Sequence, residues 1–158
     1  MATVNFETYS ISMLKDYIIE AKKRFGQRLA TPAHHYINSD IVDIADFTGD
    51  SYKLAVDVSR CSAEFIVFCG VRFMAEGAKI LAGATQHVLH PEPGAGCPMA
   101  DMIDESTAEL ALKKISSVCG RPVIPVVYMN SYADSKSFCG KNGGTVCTSS
   151  NAEKIVSY

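Results

Sequence analysis

The stretch HPEPGAGCPMADM, His90 to Met102, carries one thiol, Cys97, with proline after it and two glycines and an alanine close before it. Such neighbours make a small, bent, polar loop running into a helix, a poor place for a packing cysteine and a good one for a thiol that must point at something. A thiolate there can ligate a metal, and the alternative is an exposed or packed thiol with no such task. Other polar groups cluster in the same manner: HHY (His34–Tyr36), TGDS (Thr48–Ser51), YMN (Tyr128–Asn130) and CTSSN (Cys147–Asn151). TGDS reads as a turn into a helix, whose backbone N–H groups and Ser51 hydroxyl could receive an anion. With the Cys97 loop these make five polar groups in succession, and together they point to a site for a small anionic molecule.

The elements that must position these groups alternate along the chain. SISMLKDYIIEAKKRFG carries Ile11, Leu14, Ile18, Ala21 and Phe25 at helical spacing, with Gly26 as a stop. RLATPAHHY is short and extended, and DSYKLAVDVSR is helical with Asp50 or Ser51 available as its N-cap. AEFIVFCG is a continuous apolar run of the kind buried on both faces of a parallel sheet. VRFMAEGAKIL is helical, QHVLHPEP a short strand, DESTAELALKKISSV helical and PVIPVVYMN a second buried strand. SYADSKSF reads as a helix, GGTVCTSS as a short strand and NAEKIVSY as the start of a helix. Buried strands alternating with amphipathic helices define an α/β layered fold, a three-layer α-β-α arrangement on a parallel sheet. In such folds ligand groups gather beyond the carboxyl ends of the strands, which is where HHY, the Cys97 loop, YMN and CTSSN fall.

Composition narrows the classes. The chain has 158 residues, 47% hydrophobic and 20% charged, enough for a real core. Fifteen basic residues against seventeen acidic ones, net −2, leave no basic block, which argues against a nucleic-acid partner. The longest apolar run, Phe65 to Val71, is far below the roughly 18 residues of a membrane helix. The N-terminus lacks a basic start, and Lys15 and Asp16 interrupt its apolar positions, so it is no secretory signal and the chain reads as cytoplasmic. No two of the six cysteines have the C-x2-C spacing of a zinc knuckle. Cys61 closes a helix and Cys69 ends a strand, both as small core residues. Asp43, Asp46 and Asp50 read as capping and solvated carboxylates, and Glu76 with Lys79 as a surface pair one turn apart.

DIADFTGDS, FIVFCGVRFMAEGAKIL, GCPMADMI, YMNS and CTSSNA, in this order and spacing, resemble the quinolinate synthase family from about Thr31 to the last residue. The resemblance implies three similar α/β domains around a [4Fe-4S] cluster held by one cysteine from each domain, of which Cys97 matches the first. It implies condensation of iminoaspartate with dihydroxyacetone phosphate to quinolinate in de novo NAD synthesis, with L-aspartate oxidase as the supplier of iminoaspartate. His34 and Tyr36 match the histidine and tyrosine of the active centre, suited to substrate binding and proton transfer. Ser51, Tyr128, Met129, Asn130 and Ser149 match groups that hold the substrate, whereas His35 has no counterpart. The implied organisation is a helical extension over 1–30, a first α/β domain over 31–120 and the beginning of a second over 121–158. None of the five remaining cysteines matches the other two cluster ligands, so the chain is expected to be the N-terminal half of a longer protein and inactive alone. The alternative is a non-catalytic α/β module that binds small anions.

Overall fold

A computed structural model describes residues 5–157, which form two compact units. One comprises the residues up to Gly70 together with Ala78–Pro91, and the other Val71–Gly77 together with Glu92 onward.

The first unit opens with α1 (Ile11–Phe25), capped by the Ser10 hydroxyl, which accepts from the Met13 N–H, and ended by Gly26. Gly26 has φ 56°, a left-handed value that favours glycine, so the stop read from sequence stands on backbone geometry. The chain then enters β1 (Leu29–Ala30), breaks at Thr31 and resumes as β2 (Pro32–His34). Two short elements follow that carry no periodic signal in the sequence, α2 (Ser39–Val42) and β3 (Phe47–Gly49). Next come α3 (Ser51–Arg60), β4 (Phe65–Val67), α4 (Arg72–Leu81) and β5 (His87–Leu89). The second unit takes the first part of α4, Arg72–Gly77.

All pairings are parallel. β4 lies between β1 and β5, and β2 pairs with β3. A bridge between Ala33 and Cys69, with His34 N donating to Cys69 O at 2.9 Å and Cys69 N to Pro32 O at 2.9 Å, carries the β1–β4 ladder on to β2. The first unit therefore has one continuous parallel layer, with β3 at one side and β5 at the other. Leu54, Ala55 and Val58 of α3 are buried, as are Ala33 of β2 and Ile66 of β4. Burial of a side chain such as Leu54 or Val58 contributes about 1.5–3 kcal/mol each.

Asp46 is open to solvent, as its reading from sequence had it, but it is not a helix cap and has specific partners. Its carboxylate accepts from the Thr31 N–H at 2.8 Å and the Thr31 hydroxyl at 2.7 Å, and pairs with Lys22 at 2.9 Å. Burial pushes this carboxyl up, but the Lys22 ammonium and the Thr31 donors outweigh that and hold it below its usual value. The bonds fasten α1 beside the break between β1 and β2. Asp43 instead pairs with Lys15 at 3.3 Å.

The second unit holds α5 (Glu105–Cys119), β6 (Val126–Tyr128), α6 (Ala133–Lys141), β7 (Thr145–Cys147) and α7 (Ala152–Val156), with β6 and β7 paired in parallel. Asp104 caps α5 and Gly120, at φ 63°, ends it. The stretch from Pro122 to Asn130 is not the doubly buried strand expected of it. Only three residues are strand, and Val126 and Tyr128 are 38% and 37% exposed. β6 has one neighbour, β7, and Pro122 and Pro125 have no N–H to give a ladder, so the apolar run stays short and half covered. Among the described residues no helix is long and apolar enough to cross a membrane.

Candidate functional site

In the first unit the polar groups are set by strand register. His34, the last residue of β2, stands opposite Gly49, the last residue of β3. Just beyond, the His35 N–H donates to Gly49 O at 3.3 Å, and the His35 ring nitrogen Nδ1 also lies 3.2 Å from that oxygen. His35 is thus spent on the backbone of the turn, in keeping with a structural role. His34 is buried, 4% exposed, and lies against Tyr36 with ring centroids 3.7 Å apart and the ring planes tilted by 41°. The Tyr36 N–H donates to His34 Nδ1 at 3.4 Å, which places the proton of the neutral ring on Nε2. Burial lowers the pKa of His34, the neighbouring His35 lowers it further, and Asp50 opposes both. The imidazole is therefore neutral at neutral pH and able to take up a proton.

Tyr36 is 57% exposed, so its ring covers His34 on one side and meets solvent on the other. Gly49 leads through Asp50 into α3. Asp50, not Ser51, is the N-cap: its carboxylate accepts from the Lys53 N–H at 2.8 Å. That bond fills one of the helix's unpaired donors with a carboxylate and offsets the attraction of this terminus for an anion. Ser51 is the first residue of α3 and half-buried. Its N-capping role is excluded, and a hydroxyl at the strand ends remains.

In the second unit, Tyr128 ends β6 opposite Cys147, which ends β7. The Met129 N–H donates to Cys147 O at 2.8 Å and the Ser131 hydroxyl to Tyr128 O at 2.6 Å, which turns the chain through Tyr128, Met129 and Asn130. Asn130 is half-buried and Ser149, two residues past β7, is exposed. Asn151 Oδ1 accepts from the Thr148 N–H at 2.7 Å and shapes that turn, so Ser149 is not its cap. YMN and CTSSN thus emerge from the same, carboxyl end of one strand pair.

Cys97 sits in the irregular loop before a short 3₁₀ turn at Ala100–Met102, with its thiol half-buried. The other cysteines have structural occupations or simple exposure. Cys61 closes α3, burial pushes the Cys69 thiol up, and Cys147 is buried in β7. The buried Cys139 thiol donates towards Pro125 O at 3.0 Å and Thr145 O at 3.3 Å, and Cys119 is exposed at the end of α5. Among the described residues no group of three or more His, Cys, Asp or Glu side chains comes together to hold a metal. Cys97 can thus serve as one thiolate ligand, while a four-iron cluster needs more donors than this chain brings to one point.

Sequence reasoning missed several groups around that loop. Glu76 is not paired with Lys79. It binds Arg72 at 2.8 Å and accepts the Ala133 N–H at 2.8 Å, whereas Lys79 donates to Gln86 O at 2.9 Å. The i,i+3 spacing was satisfied equally by an i,i+4 pair in the other direction. Tyr132 and Asp101 escaped notice because their contact, 2.6 Å, spans 31 residues of sequence.

These features define an α/β protein whose polar groups sit beyond the carboxyl ends of parallel strands, with a cysteine flanked by glycine and proline in one of its loops. Residues 16–158 match the family model described as quinolinate synthetase A protein, and the chain belongs to that family. It is 51% identical over 140 residues to a quinolinate synthase of Nocardioides sp., covering 87% of this chain and 36% of that protein. It is 47% identical over 152 residues to one from Herpetosiphon aurantiacus, covering 94% and 40%. With one from Bacillus subtilis it shares 42% identity over 159 residues, covering 100% and 43%. The chain thus spans roughly two fifths of the length of these curated relatives.

Proposed function

We propose that this chain is one part of a quinolinate synthase, an enzyme of de novo NAD synthesis that condenses iminoaspartate with dihydroxyacetone phosphate. Iminoaspartate would come from L-aspartate oxidase, in the cytoplasm. The observation that carries the reading is the family match over residues 16–158, which takes in every candidate group. In this reading His34, neutral because it is buried, donates through Nε2 to a substrate carboxylate or phosphate and takes up protons during turnover. Tyr36, in ring contact with His34, is the acid–base group at the solvent side. Ser51, Tyr128, Met129, Asn130 and Ser149 hold the substrate's carboxylates and amine, the hydroxyls and the amide by directional hydrogen bonds.

Cys97 supplies one thiolate to a [4Fe-4S] cluster whose other ligands lie outside this chain. When bound with three protein thiolates, such a cluster leaves one iron open as a Lewis acid, which suits the dehydrations of this reaction. The glycines before Cys97 give the loop backbone the freedom to aim the thiol, and among the described residues no group of three or more His, Cys, Asp or Glu side chains forms a rival metal site.

The test is a chimaera in which this chain replaces the corresponding segment of the Bacillus subtilis relative. Under anaerobic conditions with iminoaspartate and dihydroxyacetone phosphate, it is expected to make quinolinate. A folded, iron-loaded chimaera that makes none would overturn the proposal.

A further inference from the structure

The loop that carries Cys97 has no ladder or helix to fix it, yet backbone hydrogen bonds tie it down and a linked set of polar side chains lies against it, all within the second unit. The Tyr132 hydroxyl donates to Asp101 Oδ1 at 2.6 Å, and the Cys97 backbone lies close to the same phenolic oxygen. Asp101 returns through its own backbone, its N–H donating to Cys97 O at 3.0 Å. The open face of Gly96 lies against both groups: a methyl there would stand 3.8 Å from the Tyr132 oxygen and 3.8 Å from Asp101 Oδ2. On the other side the Arg72 N–H donates to Ala95 O at 2.8 Å, and the Arg72 guanidinium lies over the Tyr132 ring, 5.1 Å from its centre. Glu76 closes the ring of contacts, binding Arg72 through one oxygen and the Ala133 N–H through the other. Ala95, Gly96 and Cys97 are thereby tied to the starts of α4 and α6 by Arg72, Tyr132 and Asp101.

We propose that Tyr132, backed by Asp101 and Arg72, is the positioning residue that sets the Cys97 loop and so the direction of its thiol. The inference deepens the reading of Cys97 as a cluster ligand and rests on it. The contacts are made by partly exposed polar groups, and such pairs contribute little to global stability. Their visible effect is to hold three consecutive loop residues in a single conformation. A thiolate that must meet a cluster completed by ligands from elsewhere gains from being pre-aimed, because the loop ordering then costs nothing on metal binding.

The test uses the 158-residue chain without metal, so its outcome is separate from the fate of the cluster assignment. Tyr132→Phe keeps the ring under Arg72 and removes only the hydroxyl. Peptide-resolved hydrogen exchange should show about 3- to 10-fold faster exchange in the stretch spanning Ala95 to Cys97 once the Tyr132–Asp101 bond is lost. Labelling by N-ethylmaleimide should accelerate at Cys97 and not at Cys61 or Cys119. Asp101→Ala should reproduce both effects, and Asp101→Asn, which keeps an acceptor for the phenol, should largely restore the native values. Unchanged exchange in that stretch and unchanged labelling at Cys97 in both Tyr132→Phe and Asp101→Ala would overturn the proposal. So would an equal rise at every cysteine, which would make the residue a general stabiliser of the fold.

Discussion

At the scale of single residues, burial decides the chemistry. His34 titrates below its ordinary value because it is desolvated and beside His35. Its folded form resists protonation while the unfolded chain accepts a proton near pH 6.5, so stability falls as pH drops through about 6.5 and levels off below the folded pKa. Melting temperatures across this range should show that decline in the native chain and a smaller one in His34→Asn. Tyr36→Phe removes only a hydroxyl, and in the chimaera it should keep fold and iron while losing on the order of 10²–10⁴-fold in rate. Wild-type turnover would return the tyrosine to a structural role. Lys136 makes the same case at higher pH. Its Nζ is buried without a hydrogen-bond partner, 5.5 Å from the centre of the Phe73 ring, and burial lowers its pKa although Glu76 opposes this. Stability should therefore rise as pH climbs through its folded pKa towards 10.5, and Lys136→Met should remove that dependence and stabilise the chain in chemical denaturation. The sequence marks His34 and Cys97 by type and neighbours, but it carries no sign of Lys136, since nothing local separates a buried lysine from a solvated one.

At the scale of elements, end signals were legible and depths were not. The Gly26 stop read from sequence stands, with positive φ, and Ser10, Asp104 and Gly120, not singled out in the sequence, mark helix ends by the same local rules. Between Asp50 and Ser51 the residue types could not choose, and the structure selects Asp50. Asp50→Ala should cost about 1 kcal/mol in urea denaturation, and Asp50→Asn much less, because an amide oxygen can still accept the Lys53 N–H. The same Asp50→Ala change should lower the His34 pKa further, since Asp50 is the group that raises it. β3 and α2 escaped because elements of three and four residues carry too little periodicity to read. Their consequence is large all the same, as β3 sets Gly49 opposite His34. The strand through Val126 was read as buried from its composition, while its exposure follows from how many strands flank it, which no local pattern encodes.

At the scale of the whole chain, the alternation of strands and helices was enough for the α/β class, and family membership follows from the match over 16–158. The second unit nevertheless carries much uncovered apolar surface: Leu110 is 69% exposed, Val118 81% and Ile124 67%. Surface of this kind favours association. The 158-residue chain should appear larger than a monomer by light scattering at micromolar concentration, and Leu110→Glu combined with Val118→Glu should shift it towards the monomer. Reconstituted alone with iron and sulfide, it should hold no stable four-iron cluster, because it brings one suitably placed thiolate. Iron and sulfide content of the anaerobically purified chimaera tests the role of that thiolate most directly. Cys97→Ser is predicted to lose the brown visible absorbance and most of the iron and sulfide, since a serine oxygen is a poor ligand for this cluster, while Cys61→Ser at the end of α3 keeps them. Full iron and sulfide in Cys97→Ser would contradict the account.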